Sequence, residues 1–195
     1  MLPEQLAEAF AGEWQRLSAP GATLTAEQRL QVARTARAAY SGAATSTEPV
    51  QRAAAKVSRA PGSIREKWVE GVAAEIGYPQ YVEVAGVVAR LTAVDTVHRA
   101  LDLELMALPE PLPGQPTGEI DDTLRKRAGW VPMTAPSVVY ALSIVPAEMR
   151  AQEAMSGPLY LTYEEMDDPA QPGVIPRAQK ELIAARTSAI NECFY

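Results

Sequence analysis

The sequence predicts an all-α protein, and three observations carry that expectation. Alanine is abundant while phenylalanine occurs only twice in 195 residues, a composition that favours helix over sheet. Apolar residues recur at spacings of three and four over long stretches, and strict one-in-two alternation is weak everywhere. The apolar fraction of 47% describes an ordinary globular chain, long enough for one large domain or two small ones.

The elements follow in order. Residues 3–17 are amphipathic and begin with Pro3, a residue suited to a first helical turn. Thr25 precedes A-E-Q-R-L-Q-V-A-R-T-A-R-A-A-Y, with Gln28 three positions on, which is the wording of a capping box. Helices are expected at 48–60 and 63–76, broken by Pro61-Gly62, with Gly77 as a C-cap. From Tyr81 onward Val84, Val87, Leu91, Val94, His98, Leu101 and Leu105 alternate spacings of three and four, a sustained seam suited to packing against a partner helix. His98 within it reads as a histidine hydrogen-bonded in or beside the core, since a catalytic role needs a nucleophile or carboxylate placed next to it.

Ten residues, P-E-P-L-P-G-Q-P-T-G, then hold four prolines and two glycines and read as an extended, semi-rigid linker. The expected organisation is an N-terminal helical half over 1–107, a linker over 108–119 and a C-terminal half over 120–195. The second half has helical stretches at 136–144, 146–156 and 158–166. The loop D-P-A-Q-P-G-V-I-P follows, and a last helix starts at or after Pro176.

Composition excludes several classes of function. A net charge of −6 argues against nucleic acid and against anionic membrane surfaces. The longest apolar stretch, Val82 to Leu105, is interrupted by Glu83, Arg90, Asp95, Arg99 and Asp102, so it reads as a buried helix and not a membrane span. The N-terminus, M-L-P-E-Q-L-A-E-A-F, lacks the basic and apolar regions of a signal peptide. The one histidine and one cysteine lie 95 residues apart, which is no metal-ligand spacing, and no glycine-rich phosphate loop is present. No metal or cofactor is therefore expected. A Ser-His-Asp triad would depend wholly on His98. One cysteine permits no internal disulfide, and a cytoplasmic location is the expectation. Glu164-Glu165 with Asp167-Asp168 read as a solvated acidic turn, and Trp14, Trp68 and Trp130 as core or interface anchors.

The chemistry sits at the end of the chain. In I-P-R-A-Q-K-E-L-I-A-A-R-T-S-A-I-N-E-C-F-Y, Leu182, Ile183, Ala185, Ala189 and Ile190 form an apolar face, and Glu181 precedes the only cysteine, Cys193, by twelve positions. On one straight helix that spacing separates the two by roughly 18 Å and roughly 120° about the axis. Were the two to act together, the chain would have to break near Asn191, so that Cys193 stood at the start of a new helix, where its thiol pKa would fall. With two residues after it and the terminal carboxylate close by, Cys193 is expected to be a sluggish thiol.

This stretch resembles the core motif of the alkylhydroperoxidase D (AhpD)-like, or carboxymuconolactone decarboxylase-like, family. The resemblance rests on Arg177, Glu181 to Ala184, Ser188, Ala189, Asn191 and Cys193, with looser likeness at W-V-P, 130–132. Y-V-E-V-A-G-V-V-A at 81–89, with Asp95 and Arg99, is similar to the helix that follows the thiol motif in that family. The N-terminal half then reads as a degenerate first copy. Gln28–Thr35 laid over Lys180–Thr187 matches at four of eight positions, with Arg29 over Glu181 and Ser41 over Cys193.

The resemblance implies an AhpD-like helical bundle, thiol-peroxidase chemistry on a small peroxide, a thiol reductant and a homo-oligomer formed through its helices, for which the 84–105 seam is the expected surface. In the family a second thiol attacks the peroxide, the first resolves it as a disulfide, and a glutamate and a histidine relay the proton. Glu181 and Cys193 match the glutamate and the resolving thiol. The attacking thiol would fall at position 196 and the histidine beyond it, so the 195 residues read as cut short inside the motif and impaired as a peroxidase. The alternatives are a non-catalytic oligomerisation or binding module of the same fold, and lyase chemistry on a cyclic lactone, which rests on fold analogy alone.

Overall fold

A computed structural model describes residues 2–43, 46–170 and 173–190. Among these, eight α-helices and no strand are formed: α1 (Glu4–Ser18), α2 (Ala26–Tyr40), α3 (Pro49–Arg59), α4 (Glu66–Ile76), α5 (Tyr78–Ala100), α6 (Pro146–Leu159), α7 (Tyr163–Met166) and α8 (Arg177–Ile190). The all-α expectation holds. No helix among the described residues is long and apolar enough to cross a membrane.

Local chemistry explains most boundaries. Thr25 accepts from the Gln28 amide while the Gln28 side chain takes the Thr25 N–H, so the capping box at α2 is complete. Gly77 stands between α4 and α5 at φ +81°, a conformation that only glycine takes without strain. Gly77→Ala is expected to cost about 1 kcal/mol in urea denaturation; an unchanged midpoint would mean that this junction relaxes freely.

The centre of the molecule is α5, packed by α2, α3, α4 and α6. Val84, Val87, Leu91, Val94 and His98 are all buried in this one chain. Each such aliphatic side chain contributes about 1.5–3 kcal/mol on leaving water. These five positions of the seam expected to serve self-association are thus spent on the chain's own core.

Two residues of the seam leave it. α5 stops at Ala100, Asp102 takes φ +54°, and the Leu103 N–H donates to the His98 carbonyl at 2.8 Å, closing the helix end. Leu101 and Leu105 are exposed beyond it. His98 is a structural residue here: its Nδ1 donates to the Glu104 carbonyl at 2.6 Å, tying the departing chain to the helix, and its ring lies beside Phe10.

The Pro/Gly-rich stretch runs extended over the corner between α1 and α2. The N–H groups of Leu112, Thr117 and Gly118 donate to the carbonyls of Ser18, Gly21 and Ala22 at 2.7, 2.8 and 2.9 Å. After it, Ile144, Val145 and Met155 join the same hydrophobic core as α1, α2 and α5. The stretch 136–144, expected to be helical, forms only a 3-10 turn at Val138–Tyr140. The helix expected at 158–166 is broken at Tyr160 (φ −150°, ψ −81°), and four residues restart after a second complete capping box at Thr162 and Glu165. Trp14 donates to the Ala107 carbonyl at 2.6 Å, and Trp68 meets Tyr81 edge-on, so both act as anchors.

Candidate functional site

α8 carries the one described member of the sequence-predicted pair. Its Glu181 carboxylate accepts from the Tyr160 hydroxyl and from Arg177 Nε, each at 2.6 Å. These two hydrogen bonds, Tyr160 first, hold its pKa below the ordinary carboxylate value. The Tyr160 hydroxyl is pushed up, by desolvation and then by Glu181, and so remains the donor. Arg177 is itself fixed: its Nη1 donates to the Glu165 and Asp168 carbonyls at 3.0 and 3.1 Å, and its Nη2 to the Met166 carbonyl at 3.1 Å, covering the C-terminal end of α7. Glu181 is therefore an oriented, ionised and solvent-facing carboxylate.

α8 is a helix through Ile190 with no buried residue along it. Leu182, Ile183 and Ile190 are 70%, 57% and 66% exposed. Asn191, where the sequence expects the chain to turn, and Cys193 lie outside the described residues.

A second constellation escaped the sequence reading. Four helices each place charge at one point in the core: Glu13 and Arg16 from α1, Arg29 from α2, Glu83 and Arg90 from α5, and Glu148 from α6. Arg90 Nε donates to Glu13 Oε1 at 2.9 Å, and its Nη2 donates to Glu148 Oε2. Arg16 Nη1 and Arg29 Nη1 reach Glu148 Oε1 at 2.9 and 3.2 Å. Arg29 Nη1 also donates to Glu83 Oε1 at 3.0 Å, and Thr23 supplies its N–H and hydroxyl to Glu83 Oε2, both at 2.7 Å.

Three guanidinium groups thus face three carboxylates, and the formal charge cancels. Burial pushes the Glu148 pKa up, but the charges of Arg90, Arg16 and Arg29 outweigh it and bring the group to about 2. A carboxylate so held is a poor general base near neutral pH. The network joins four helices and does not present a free acid or base.

Glycine makes room for it. A Cβ at Gly86 would lie 2.4 Å from Glu148 Oε2 and 3.3 Å from both Arg90 Nη atoms. Gly→Ala inside a helix normally stabilises by about 1 kcal/mol, but Gly86→Ala is expected to destabilise by about 1–3 kcal/mol through overpacking. Urea denaturation gives the sign directly, and a stabilised variant would show that the carboxylate can move aside.

The signal for this network was present as charges interrupting an apolar run. Glu83 and Arg90, seven residues apart on α5, share a helix face with Gly86 between them. No cluster of potential metal ligands occurs among the described residues. No family model, no curated protein and no solved structure matches this chain.

Proposed function

We propose that the chain belongs to the AhpD-like thiol peroxidases, with Cys193 as the resolving thiol and Glu181 as the proton-relay carboxylate. The observation that carries this reading is the twelve-position spacing of Glu181 and Cys193 within the family's wording. The orientation of Glu181 by Tyr160 and Arg177, and its place on an otherwise unpacked helix in an all-helical protein, support it. The reaction is reduction of a hydroperoxide to an alcohol and water, with a dithiol oxidised to a disulfide. In the family pattern the attacking thiol falls at position 196.

The test is hydroperoxide consumption with a dithiol reductant, using the 195-residue chain and a chain extended to carry the family's second thiol at position 196 and its histidine beyond. Turnover by the extended chain alone is the expected result. Failure of an extended chain carrying a second thiol at position 196 would remove the reading.

The exposed apolar face of α8 favours a second reading, a non-catalytic module whose last helix packs on another chain. Sustained turnover by the 195 residues is incompatible with it.

A further inference from the structure

A cavity of about 290 Å³ lies between α4, α5 and the irregular stretch 128–142. Val69 of α4 and Tyr81, Val82 and Ala85 of α5 form one wall; Trp130, Val131, Met133 and Leu142 are among the residues forming the other. No charged side chain lines it, and its polar side chains are Tyr81, Ser137 and the Trp130 indole. The buried charge network belongs to different residues altogether, so this is a separate feature of the fold.

The wall is built and not merely draped. Lys126 bridges Glu66 and Glu70 of α4 just before the cavity-lining stretch begins. Ser143 Oγ accepts the Thr134 N–H at 2.9 Å just after it, and the Asp121 N–H donates to the Ile144 carbonyl at 3.0 Å. Tyr81 is held edge-on against Trp68. Val138, 60% exposed, and Ala128 stand out at the rim.

The geometry points to a binding site for an uncharged, mostly hydrocarbon small molecule, the size of two fused rings or a medium-length alkyl chain, carrying at most one or two polar atoms. Size sets one bound: an apolar cavity of about 150 Å³ holds a benzene ring, and this one is about twice that. Chemistry sets the other. An ion entering here would lose its hydration without meeting a counter-charge, at a cost that excludes it. Burial raises the Tyr81 hydroxyl to about 12, so at neutral pH it remains an uncharged phenol. This inference stands on the cavity and is independent of the peroxidase reading.

The test uses the full chain and the neutral fluorophore N-phenyl-1-naphthylamine. Fluorescence titration is expected to give saturable one-to-one binding, with energy transfer from tryptophan that falls in Trp130→Phe. Ala85→Phe fills the cavity from its α5 wall and is expected to weaken binding at least tenfold. Val138→Phe obstructs the rim without touching the core, so a binding loss there does not depend on whether Ala85→Phe folds. Ile183→Ser, on the exposed face of α8, is expected to leave binding unchanged. An anionic naphthalene sulfonate is expected to bind at least tenfold more weakly than the neutral probe. Absence of saturable binding, full affinity in both cavity variants, or loss in Ile183→Ser would each overturn the assignment.

Discussion

Glu148→Ala is expected to lower the unfolding free energy by about 3–5 kcal/mol, measured by urea denaturation. Its carboxylate is the point at which Arg16, Arg29 and Arg90 converge, and it is the contribution of α6 to a cluster otherwise built by α1, α2 and α5. Truncation leaves three guanidinium groups in the core with an acceptor missing, and Arg29 already has Nε and Nη2 buried without a hydrogen-bond partner. Against a typical total of about 5–15 kcal/mol, the loss is enough to depopulate the fold. Removing both members of a pair is a different experiment. Glu148→Leu combined with Arg90→Met is expected to cost less than Glu148→Ala alone, because no charge of that pair is stranded. A cost below about 1 kcal/mol for Glu148→Ala would mean that water reaches the cluster and screens it.

The same residue sets an acid limit. The Glu148 pKa is depressed from an ordinary 4.5 to about 2 in the folded protein. Its contribution is therefore complete above about pH 4.5 and is lost as the pH falls toward about 2, a linkage of roughly 3 kcal/mol. Glu148→Gln cannot titrate, so its stability is expected to fall less steeply over that window. Parallel slopes for the two proteins would assign the acid sensitivity to other carboxylates.

What the sequence disclosed, and what it hid, follows from the range of the interactions. Capping is local, so Thr25 with Gln28 and the break at Gly77 were legible in a few residues. The end of α5 was not, because the apolar period runs on to Leu105. The decisive events there are the left-handed turn at Asp102 and the hydrogen bonds of His98 and Leu103. The stretch 136–144 has helical spacing but opens on Pro136-Ser137 and closes as a 3-10 turn against the cavity. The charge network was hidden for a deeper reason. Glu13 and Arg16, Arg29, Glu83 and Arg90, and Glu148 belong to four different helices, and only the packing shows that their charges cancel. Glu83 and Arg90 in an apolar run excluded a membrane span, yet the partners that make them tolerable in a core were not visible. Glu181 was legible as a residue, while its contact with Tyr160, 21 positions earlier, was not.

In a peroxide-consuming chain that carries an attacking thiol at position 196, Cys193→Ser is expected to slow sustained turnover with a dithiol, because the external dithiol must then reduce the sulfenic acid directly, with no thiol of the chain to form the disulfide first. One stoichiometric oxidation per chain is expected to survive, and its size separates a missing resolving thiol from a misfolded protein. Glu181→Gln keeps the shape of the side chain and its hydrogen-bond acceptor, but removes the base, and turnover is expected to fall by about 10²–10⁴-fold. Tyr160 offers a finer test. Its hydroxyl is the foremost cause of the lowered Glu181 pKa, with Arg177 next. Tyr160→Phe removes a bond that favours the ionised carboxylate, so the Glu181 pKa rises and its basic form is lost at a higher pH. The acid limb of the turnover profile is therefore expected to move to higher pH in Tyr160→Phe, with little change at the plateau. If the limb stays in place while the plateau falls, Tyr160 and Glu181 hold α8 against the body of the protein and the proton goes elsewhere.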